Sequence, residues 1–505
     1  MQRNLEVLAS TRFDLLIIGG GITGAGVALD ATLRGYKVAL IDKGDFASGT
    51  SSVSSKLVHG GLRYLEHAEF HLVHEALHER GLLLRNAPHL VKPLRFIIPF
   101  YEGARVPPWK WRIGLLLYDL LAGQHNIHRS QPVPKERILH LVPALRPHGL
   151  IGGAGYFDAQ MDDSRLCLEV VRSAADDGAC CLNHVEASAI EASRSGGFRV
   201  AAQDRLHGQS LSIEARQVLN AAGPWGDQVL SLAGDTSEPL LQPTKGVHII
   251  LPGQGLDSAL LLLHPDDGRV FFVIPWLGKT LIGTTDTEFT QSPDSLVTTP
   301  EDVSYLLRGH DYYFPTEAGV RKVLGSFVGL RPLLRAKPSD PSSRSREFRI
   351  FTSPSGLITV AGGKYTTYRH MAERVTDQVA ERLGRRRPCR TRSYRLTAIQ
   401  GEDWPAFVGR TVEQLVRKYP LDAQAALHVI HRYGSRAGDV AALSAEHPRL
   451  ARPIVDGEPD LRVELLYQRS QEMAFSSEDH LLRRTRLGLF HPDLLRVPIE
   501  QLLSE

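Results

Sequence analysis

The feature that most constrains this chain is a glycine-rich turn between a buried strand and a helix near the N-terminus. The apolar run 13–18 predicts the strand, small residues over 25–34 predict the helix, and a second apolar run, 37–41, ends in Asp42. The glycines of the turn are Gly19, Gly20, Gly21 and Gly24. These elements predict a βαβ unit that holds a pyrophosphate at the helix N-terminus, with Asp42 on the ribose hydroxyls of an adenosine.

The segments that follow Asp42 favour a flavin over a nicotinamide cofactor. A NAD dehydrogenase usually continues into further regular βα units, whereas here hydroxyl-bearing residues and glycines come at once, at Thr50, Ser51, Ser52, Gly60 and Gly61. The exposed backbone of glycines and the hydroxyl groups of serine and threonine suit a cofactor that extends deep into the protein. Two more glycine-bearing strand ends lie far downstream, at Ala222-Gly223 and at Gly363-Lys364. The spacing predicts one FAD bound by a discontinuous domain.

The length of 505 residues is too great for one hydrophobic core and predicts two or three domains. The middle of the chain alternates strand-like runs with Gly/Pro turns, and amphipathic helices dominate after residue 388. The predicted fold class is α/β, with a Rossmann-like FAD-binding domain, an inserted mixed-sheet substrate domain and a C-terminal helical domain. The predicted ranges are 1–90, 150–228 and 331–387 for FAD binding, 91–149 and 229–330 for the substrate domain, and 388–505 for the helical domain.

Charge and cysteine usage exclude several classes of protein. A formal net charge of +3, spread evenly, gives no basis for nucleic-acid binding. The four cysteines have no CxxC or zinc spacing, so we expect reduced thiols and no metal site. We find neither a signal-peptide pattern nor an apolar run of about 18 residues. These observations predict a cytoplasmic protein.

One predicted helix, over residues 109–121, carries a continuous apolar face. Its members are Ile113, Leu116, Leu117, Leu120 and Leu121, at helical spacing. Two tryptophans and two cations stand at the start of this helix. The face can pack on the protein core or lie in the plane of a bilayer interface.

Several motifs together resemble the FAD-dependent glycerol-3-phosphate dehydrogenases of respiratory type. The motifs are IGGGITGAG at 18–26, SSKLVHGGLRYL at 54–65, GTTD at 283–286, GLRP at 329–332 and GGKYTTYR at 362–369. The resemblance covers nearly the whole chain. It implies a fold similar to that of amino-acid oxidases, FAD as cofactor, and oxidation of sn-glycerol 3-phosphate to dihydroxyacetone phosphate. It also implies a homodimer, attached peripherally to the cytoplasmic face of the inner membrane, that passes electrons to membrane quinone.

The resemblance assigns the substrate phosphate to arginines. Arg63, Arg331 and Arg346 match family positions associated with that phosphate, and Tyr64 stands beside Arg63. A planar guanidinium suits this task because it makes two parallel charge-assisted hydrogen bonds. Lys364 follows a glycine pair and is expected to stabilise the reduced flavin or a substrate oxygen.

The base that accepts the hydroxyl proton is predicted to be a histidine, because its ordinary pKa near 6.5 suits proton transfer at neutral pH. His248 matches a family histidine near the substrate and is our first choice. His59 is the competitor, with packing against the flavin as its other role.

Three other functions stay open at this point. An oxidase acting on the same substrate would differ in giving its electrons to dioxygen. An amine or amino-acid oxidase of the same fold would need a clamp for a carboxylate, whereas several arginines and Lys364 favour a dianion. A redox-inactive FAD-bound scaffold would use the helical C-terminal domain to bind a partner, but retention of Arg63, His248, Arg331 and Lys364 together argues against an inactive site.

Overall fold

The structure is a computed structural model that describes residues 1–193, 196–235, 238–315, 322–335, 348–396 and 403–504. In chain order, strands β1 to β18 are Arg12–Ile18, Val38–Ile41, Leu57–Val58, Val91–Tyr101, Gln131–Val133, Leu150–Met161, Cys180–Leu182, Val185–Ala192, Phe198–Asp204, Ser210–Asn220, Thr244–Pro252, Ala259–Leu263, Val270–Trp276, Lys279–Gly283, Thr287–Glu288, Gly325–Arg331, Arg349–Thr352 and Ile358–Ala361. Helices α1 to α14 are Leu5–Ser10, Ile22–Leu33, Phe70–Asn86, Pro108–Ala122, Lys135–Leu141, Asp163–Asp176, Gly226–Leu232, Pro300–Tyr313, Tyr368–Leu383, Trp404–Lys418, Ala423–Tyr433, Ala437–Glu446, Arg462–Gln471 and Ile499–Ser504.

The first sheet is built around parallel strands in the order β18-β10-β1-β2-β7. Helices α2, α6 and α9 pack together on one face of it, and the antiparallel strands β8 and β9 extend it from β10. The central strands are buried on both faces, as parallel strands covered by helices require. The βαβ unit predicted from the glycine-rich turn is confirmed in β1, α2 and β2.

The second sheet is mostly antiparallel and runs in the order β15-β11-β14-β13-β12-β4-β6-β3. Strand β16 pairs with β11 and β5 pairs with β6. Apolar clusters cover both faces of this sheet. Strands β3 and β6 belong to this second sheet, although the ranges predicted for FAD binding, 1–90 and 150–228, contain them. The sequence did not reveal this, because it shows no break between β6 and α6. The domain boundaries themselves stay a prediction.

The C-terminal helices α10 to α13 enclose an apolar core of their own. Buried ion pairs join this region to the first sheet: Glu472 accepts hydrogen bonds from Arg165 at 2.6 and 2.9 Å and from Arg172 at 2.8 Å. Arg484 donates to Asp45, which lies just beyond β2, at 2.8 Å. Burial makes such pairs costly to break, because a lone buried charge remains. The helical region is therefore firmly attached to the FAD-binding fold.

Candidate active site

The C-terminal ends of the parallel strands of the first sheet converge on one edge. Gly19 follows β1, Asp42 follows β2, Ala222-Gly223 come just after β10, and Gly362-Gly363 follow β18. Because β18, β10, β1 and β2 are neighbours in the sheet, the C-terminal ends of these four strands lie side by side. Ligands of open α/β sheets bind at this edge.

The glycine-rich turn has the geometry of a phosphate cradle. Gly19 has a φ of +117°, and a Cβ there would lie 2.5 Å from the carbonyl oxygen of Ala221. A Cβ on Gly24 would collide with the carbonyl oxygen of Gly19, so only glycine allows this approach of helix and strand. Gly21 is the N-cap of α2 and brings no side chain to the first turn, where Ile22 N–H donates to Ser51 Oγ at 2.9 Å and an anion can approach the helix N-terminus.

Asp42, which follows the neighbouring strand β2, is hydrogen-bonded to the glycine-rich turn. Its carboxylate accepts hydrogen bonds from the backbone N–H groups of Gly20, at 2.6 Å, and Gly44, at 2.8 Å. Burial raises the pKa of Asp42 to about 6 in spite of these two donors. The side chain thus stands at the strand end where an adenosine ribose is expected.

One cavity of about 640 Å³ joins this edge to the second sheet. Of the residues predicted for the site, those that line it are Gly19, Gly21, Asp42, Thr50, Ser51, His59, Tyr64, Ala222, Gly223, His248, Arg331, Gly363 and Lys364. Gly20, Gly24, Ser52, Gly60 and Gly61 are absent from its lining and lie in the segments that shape it. Arg346 is outside the described residues, and for Arg63 the structure describes the backbone, in the short helix Leu62–His67, but not the side chain.

The second sheet supplies His248, from β11, in register with Gly283 of β14 and Phe327 of β16. The imidazole stacks on the Phe327 ring with 4.9 Å between centroids, and its Nε2 lies 2.9 Å from Oγ of Ser55. Burial, helped by the charges of Lys56 and Arg331, lowers the pKa of His248 to about 3. The histidine is therefore neutral at pH 7. Its buried Nδ1 has no hydrogen-bond partner among the described residues, which marks it as a group for a ligand.

Arg331, at the end of β16, is held by the loop that follows β14. Its guanidinium donates to Asp286 Oδ1, Thr284 Oγ1 and the carbonyl oxygen of Thr285, each at 3.0 Å. The side chain is one-quarter exposed, at 25%, so part of it faces the cavity. This arrangement fixes the direction of the guanidinium before any anion binds.

Lys364 follows the Gly362-Gly363 end of β18. Its Nζ lies 3.6 Å from the centroid of the Tyr64 ring, a cation–π contact at the cavity wall. The backbone N–H of His59 donates to Thr366 Oγ1 at 3.2 Å. The predicted residues Tyr64, His59 and Lys364 therefore lie together, although about 300 residues separate Lys364 from the other two.

A buried ion cluster behind the site was not predicted from the sequence. Asp163, at the start of α6, accepts hydrogen bonds from Lys56 Nζ at 2.8 Å, from Ser54 Oγ at 2.7 Å and from Arg486. The charges of Lys56 and Arg486 hold the pKa of Asp163 below its usual range, although burial alone would raise it. Lys56 and Arg486 also donate to the carbonyl oxygen of Ser52, at 2.6 and 3.3 Å. Arg486, from the C-terminal region, thus holds the loop around Ser52, parts of which line the cavity.

Other lining residues were also missed, among them Ser55, Trp225, Thr284 and Thr366. Ser55, Thr284 and Thr366 had a signal in the sequence, because they lie in the motifs at 54–65, 283–286 and 362–369. Trp225 follows a strand end whose pairing only the fold reveals.

The two sheets and the cavity between them define a flavin-dependent oxidoreductase. The cradle at Gly19 to Gly24, the carboxylate of Asp42 and the long cavity all fit FAD. The family described as "FAD dependent oxidoreductase" matches residues 14–369, and the "C-terminal domain of alpha-glycerophosphate oxidase" matches residues 389–503. The chain belongs to the FAD-dependent oxidoreductase family that includes the aerobic glycerol-3-phosphate dehydrogenases, and its cofactor is FAD.

The similarity to named relatives extends over nearly the whole chain. The aerobic glycerol-3-phosphate dehydrogenase of Staphylococcus haemolyticus (strain JCSC1435) is 38% identical over 503 residues, covering 96% of this chain and 88% of that protein. The Staphylococcus aureus (strain USA300) protein of the same name is 37% identical over 497 residues, covering 95% and 87%. Among solved structures, the glycerol-3-phosphate dehydrogenase of Bacillus halodurans complexed with FAD superposes with a TM-score of 0.81 at 33% identity, covering 97% of this chain and 89% of that one. L-alpha-glycerophosphate oxidase of Mycoplasma pneumoniae shares the fold, with a TM-score of 0.56 at 19% identity over 76% and 98%.

Proposed function

We propose that this chain oxidises sn-glycerol 3-phosphate to dihydroxyacetone phosphate. The observation that carries the proposal is that two cationic side chains, Arg331 and Lys364, and the neutral imidazole of His248 line the same cavity, which begins at the phosphate turn. A phosphorylated alcohol offers a dianion for the cations and a hydroxyl for the imidazole. The printed names of the relatives at 37–38% identity support this substrate.

In this proposal Arg331 binds the substrate phosphate, together with Arg63, Tyr64 and Arg346. The Asp286 and Thr284 contacts keep the guanidinium in place, so little rotational freedom is lost on binding. Lys364 stabilises negative charge that develops near the flavin. FAD, when bound at the glycine-rich turn, would supply the redox chemistry as the acceptor of the C2 hydride.

His248 accepts the proton of the C2 hydroxyl, and His59 is the second candidate for this role. A pKa of about 3 makes the free imidazole a weak base. A dianion beside it raises that pKa, because the opposite charge favours the protonated form. Substrate binding therefore activates the base in the complex where it is needed.

We also propose that the electrons pass to membrane quinone and that the protein attaches to the cytoplasmic face of the inner membrane. Helix α4 supports the attachment. Its outward face exposes four large apolar side chains, Trp109, Ile113, Leu116 and Leu120, at 58%, 51%, 60% and 67%. Two cations, Lys110 and Arg112, accompany this face and suit anionic headgroups. In the part of the chain that the structure describes, no helix is both long and apolar enough to span a bilayer. The homodimer implied by the resemblance stays a prediction.

Dioxygen is the second candidate acceptor, favoured by the match of residues 389–503 to the C-terminal domain of alpha-glycerophosphate oxidase. The experiment uses the FAD-loaded protein with glycerol 3-phosphate and follows dihydroxyacetone phosphate as product. One reaction contains a quinone analogue without oxygen, and the other contains air alone. Turnover that needs the quinone supports the dehydrogenase. Equal turnover in air, with hydrogen peroxide formed, identifies an oxidase, and no product with either acceptor refutes the substrate assignment.

A further inference from the structure

Tyr118 lies on the inward face of α4, opposite the exposed apolar side chains of that helix. Its side chain is 1% exposed, whereas Leu116 and Leu120 are among the most exposed apolar side chains of the described chain. The ring packs edge-on against Tyr156 with 5.9 Å between centroids. The phenol therefore points from a surface helix into the interior of the protein.

The hydroxyl of Tyr118 is fully engaged in hydrogen bonds. It accepts the backbone N–H of Gly60 at 2.8 Å and donates to the carboxylate of Asp158 at 2.8 Å. The same Gly60 N–H has a longer contact with Asp158 Oδ1, at 3.4 Å, and Arg80 donates to that oxygen at 2.7 Å. Tyr118, Asp158 and Arg80 are each at most 2% exposed, so water does not compete for these bonds. The phenol oxygen is thus held at one position and offers one acceptor site to Gly60.

Gly60 lies between two groups that reach the cavity. The residue before it, His59, is bound through its backbone N–H to Thr366, two positions after Lys364. The residue after it, Gly61, is the N-cap of the short helix that carries Tyr64, whose ring meets the Lys364 ammonium. A displacement of Gly60 therefore moves His59 and Tyr64 together.

We infer that Tyr118 is a positioning residue for the substrate-binding turn at His59 to Tyr64. Its hydroxyl sets where the turn sits relative to Lys364, and so ties the exposed helix α4 to the substrate end of the cavity. The role rests on the proposed oxidation of glycerol 3-phosphate at this site. It concerns how the substrate is held rather than the redox step itself.

The test compares the wild-type holoprotein with Tyr118→Phe, which removes the hydroxyl and keeps the ring. Flavin absorbance is followed without oxygen after rapid mixing with increasing glycerol 3-phosphate. Loss of one buried hydrogen bond predicts a rise of about 10-fold in the substrate concentration that gives half the maximal reduction rate. The maximal rate itself is expected to change by less than about 3-fold, because no group that touches the reacting atoms is removed.

Tyr313→Phe is the matched control, since Tyr313 also buries its ring and donates its hydroxyl to a carbonyl oxygen, that of Leu263, at 2.8 Å. We expect its substrate dependence to equal that of the wild type. A half-saturating concentration in Tyr118→Phe equal to the wild-type value would overturn the inference, whereas a wild-type flavin that glycerol 3-phosphate does not reduce refutes the proposed function instead.

Should Tyr118→Phe fail to retain FAD, Gly60→Ala probes the same contact from the other side. A Cβ on Gly60 would lie 2.6 Å from both the Tyr118 hydroxyl and Cδ2 of Leu77, so the turn must shift away from its contact with Tyr118. The half-saturating concentration must then rise as well, and an unchanged value would overturn the inference.

Discussion

The hydroxyl oxygen of Ser55 lies 2.9 Å from Nε2 of His248, so a side chain just before β3 meets a side chain of β11 in the second sheet. Both residues line the cavity. Because Nε2 is engaged by Ser55, the hydrogen bond fixes the orientation of the imidazole. Ser55 itself stands next to Lys56, which the buried Asp163 holds in place.

Ser55→Ala is expected to slow proton removal by His248. Without the hydroxyl, the imidazole loses the partner that orients it, and loss of about one hydrogen bond corresponds to a maximal flavin-reduction rate about 10-fold lower. FAD content is expected to stay that of the wild type. Anaerobic rapid mixing with glycerol 3-phosphate measures the rate, and Ser188→Ala, on the exposed part of β8, is the control. A rate unchanged in Ser55→Ala would show that this hydrogen bond has no part in catalysis.

The main effect expected of Arg331→Met is weaker substrate binding. Charge-assisted hydrogen bonds contribute about 1.5–3 kcal/mol, which predicts a loss of about 10- to 150-fold in kcat/KM. Steady-state kinetics with a quinone analogue measures this loss. Arg308→Met is the control, because Arg308 pairs with Asp266 on the exposed side of α8. Wild-type kcat/KM in Arg331→Met would remove Arg331 from the substrate site.

The exposed face of α4 is expected to hold the protein on anionic vesicles. The double substitution Leu116→Glu and Leu120→Glu places two negative charges on this face and should abolish co-sedimentation with vesicles that contain phosphatidylglycerol. Val416→Glu with Leu427→Glu makes the same change at exposed apolar positions of the C-terminal helices, at 41% and 40%, and should leave binding intact. Equal binding of both double variants would contradict the role of α4.

His89 is expected to make the fold sensitive to acid. Burial lowers its pKa to about 3, and neither ring nitrogen has a hydrogen-bond partner within the described ranges. In the unfolded chain the pKa returns to about 6.5. Below that pH the unfolded state binds a proton that the folded state does not, so the free energy of unfolding falls as the pH drops from about 6.5 toward 3, by about 2 kcal/mol at pH 5.

His89→Gln removes this titration, and the drop in Tm between pH 7.5 and pH 5 should therefore be smaller than in the wild type. Thermal unfolding of the FAD-loaded protein at the two pH values measures the drop. Substitution of the exposed His447 by Gln should leave it unchanged. A drop in His89→Gln as large as in the wild type would show that His89 contributes nothing to the sensitivity, which the other buried histidines, such as His248, share.

The cofactor end of the site could be predicted because its signals are local. Gly19, Gly24 and Asp42 lie within one βαβ unit, where strand, turn and helix follow each other without insertions. Their spacing is set by backbone geometry, which any chain that folds this way must satisfy.

The supporting contacts could not be predicted, since they join distant segments of the chain. Arg486 reaches Asp163 and Ser52 across more than 300 residues, and Tyr118 reaches Gly60 from a helix whose sequence shows only its apolar face. Buried charges such as Lys56 look like ordinary surface residues in the sequence. Only the packing of the C-terminal helices and of α4 on the two sheets reveals what they hold.

The proposed oxidation is tested most directly by the absorbance of bound FAD after glycerol 3-phosphate is added without oxygen, with glycerol as the matched compound that lacks the phosphate. We expect rapid bleaching of the flavin by glycerol 3-phosphate and none by glycerol, because Arg331 and Lys364 recognise the dianion. A flavin that stays oxidised with glycerol 3-phosphate, in protein that carries FAD, would contradict it.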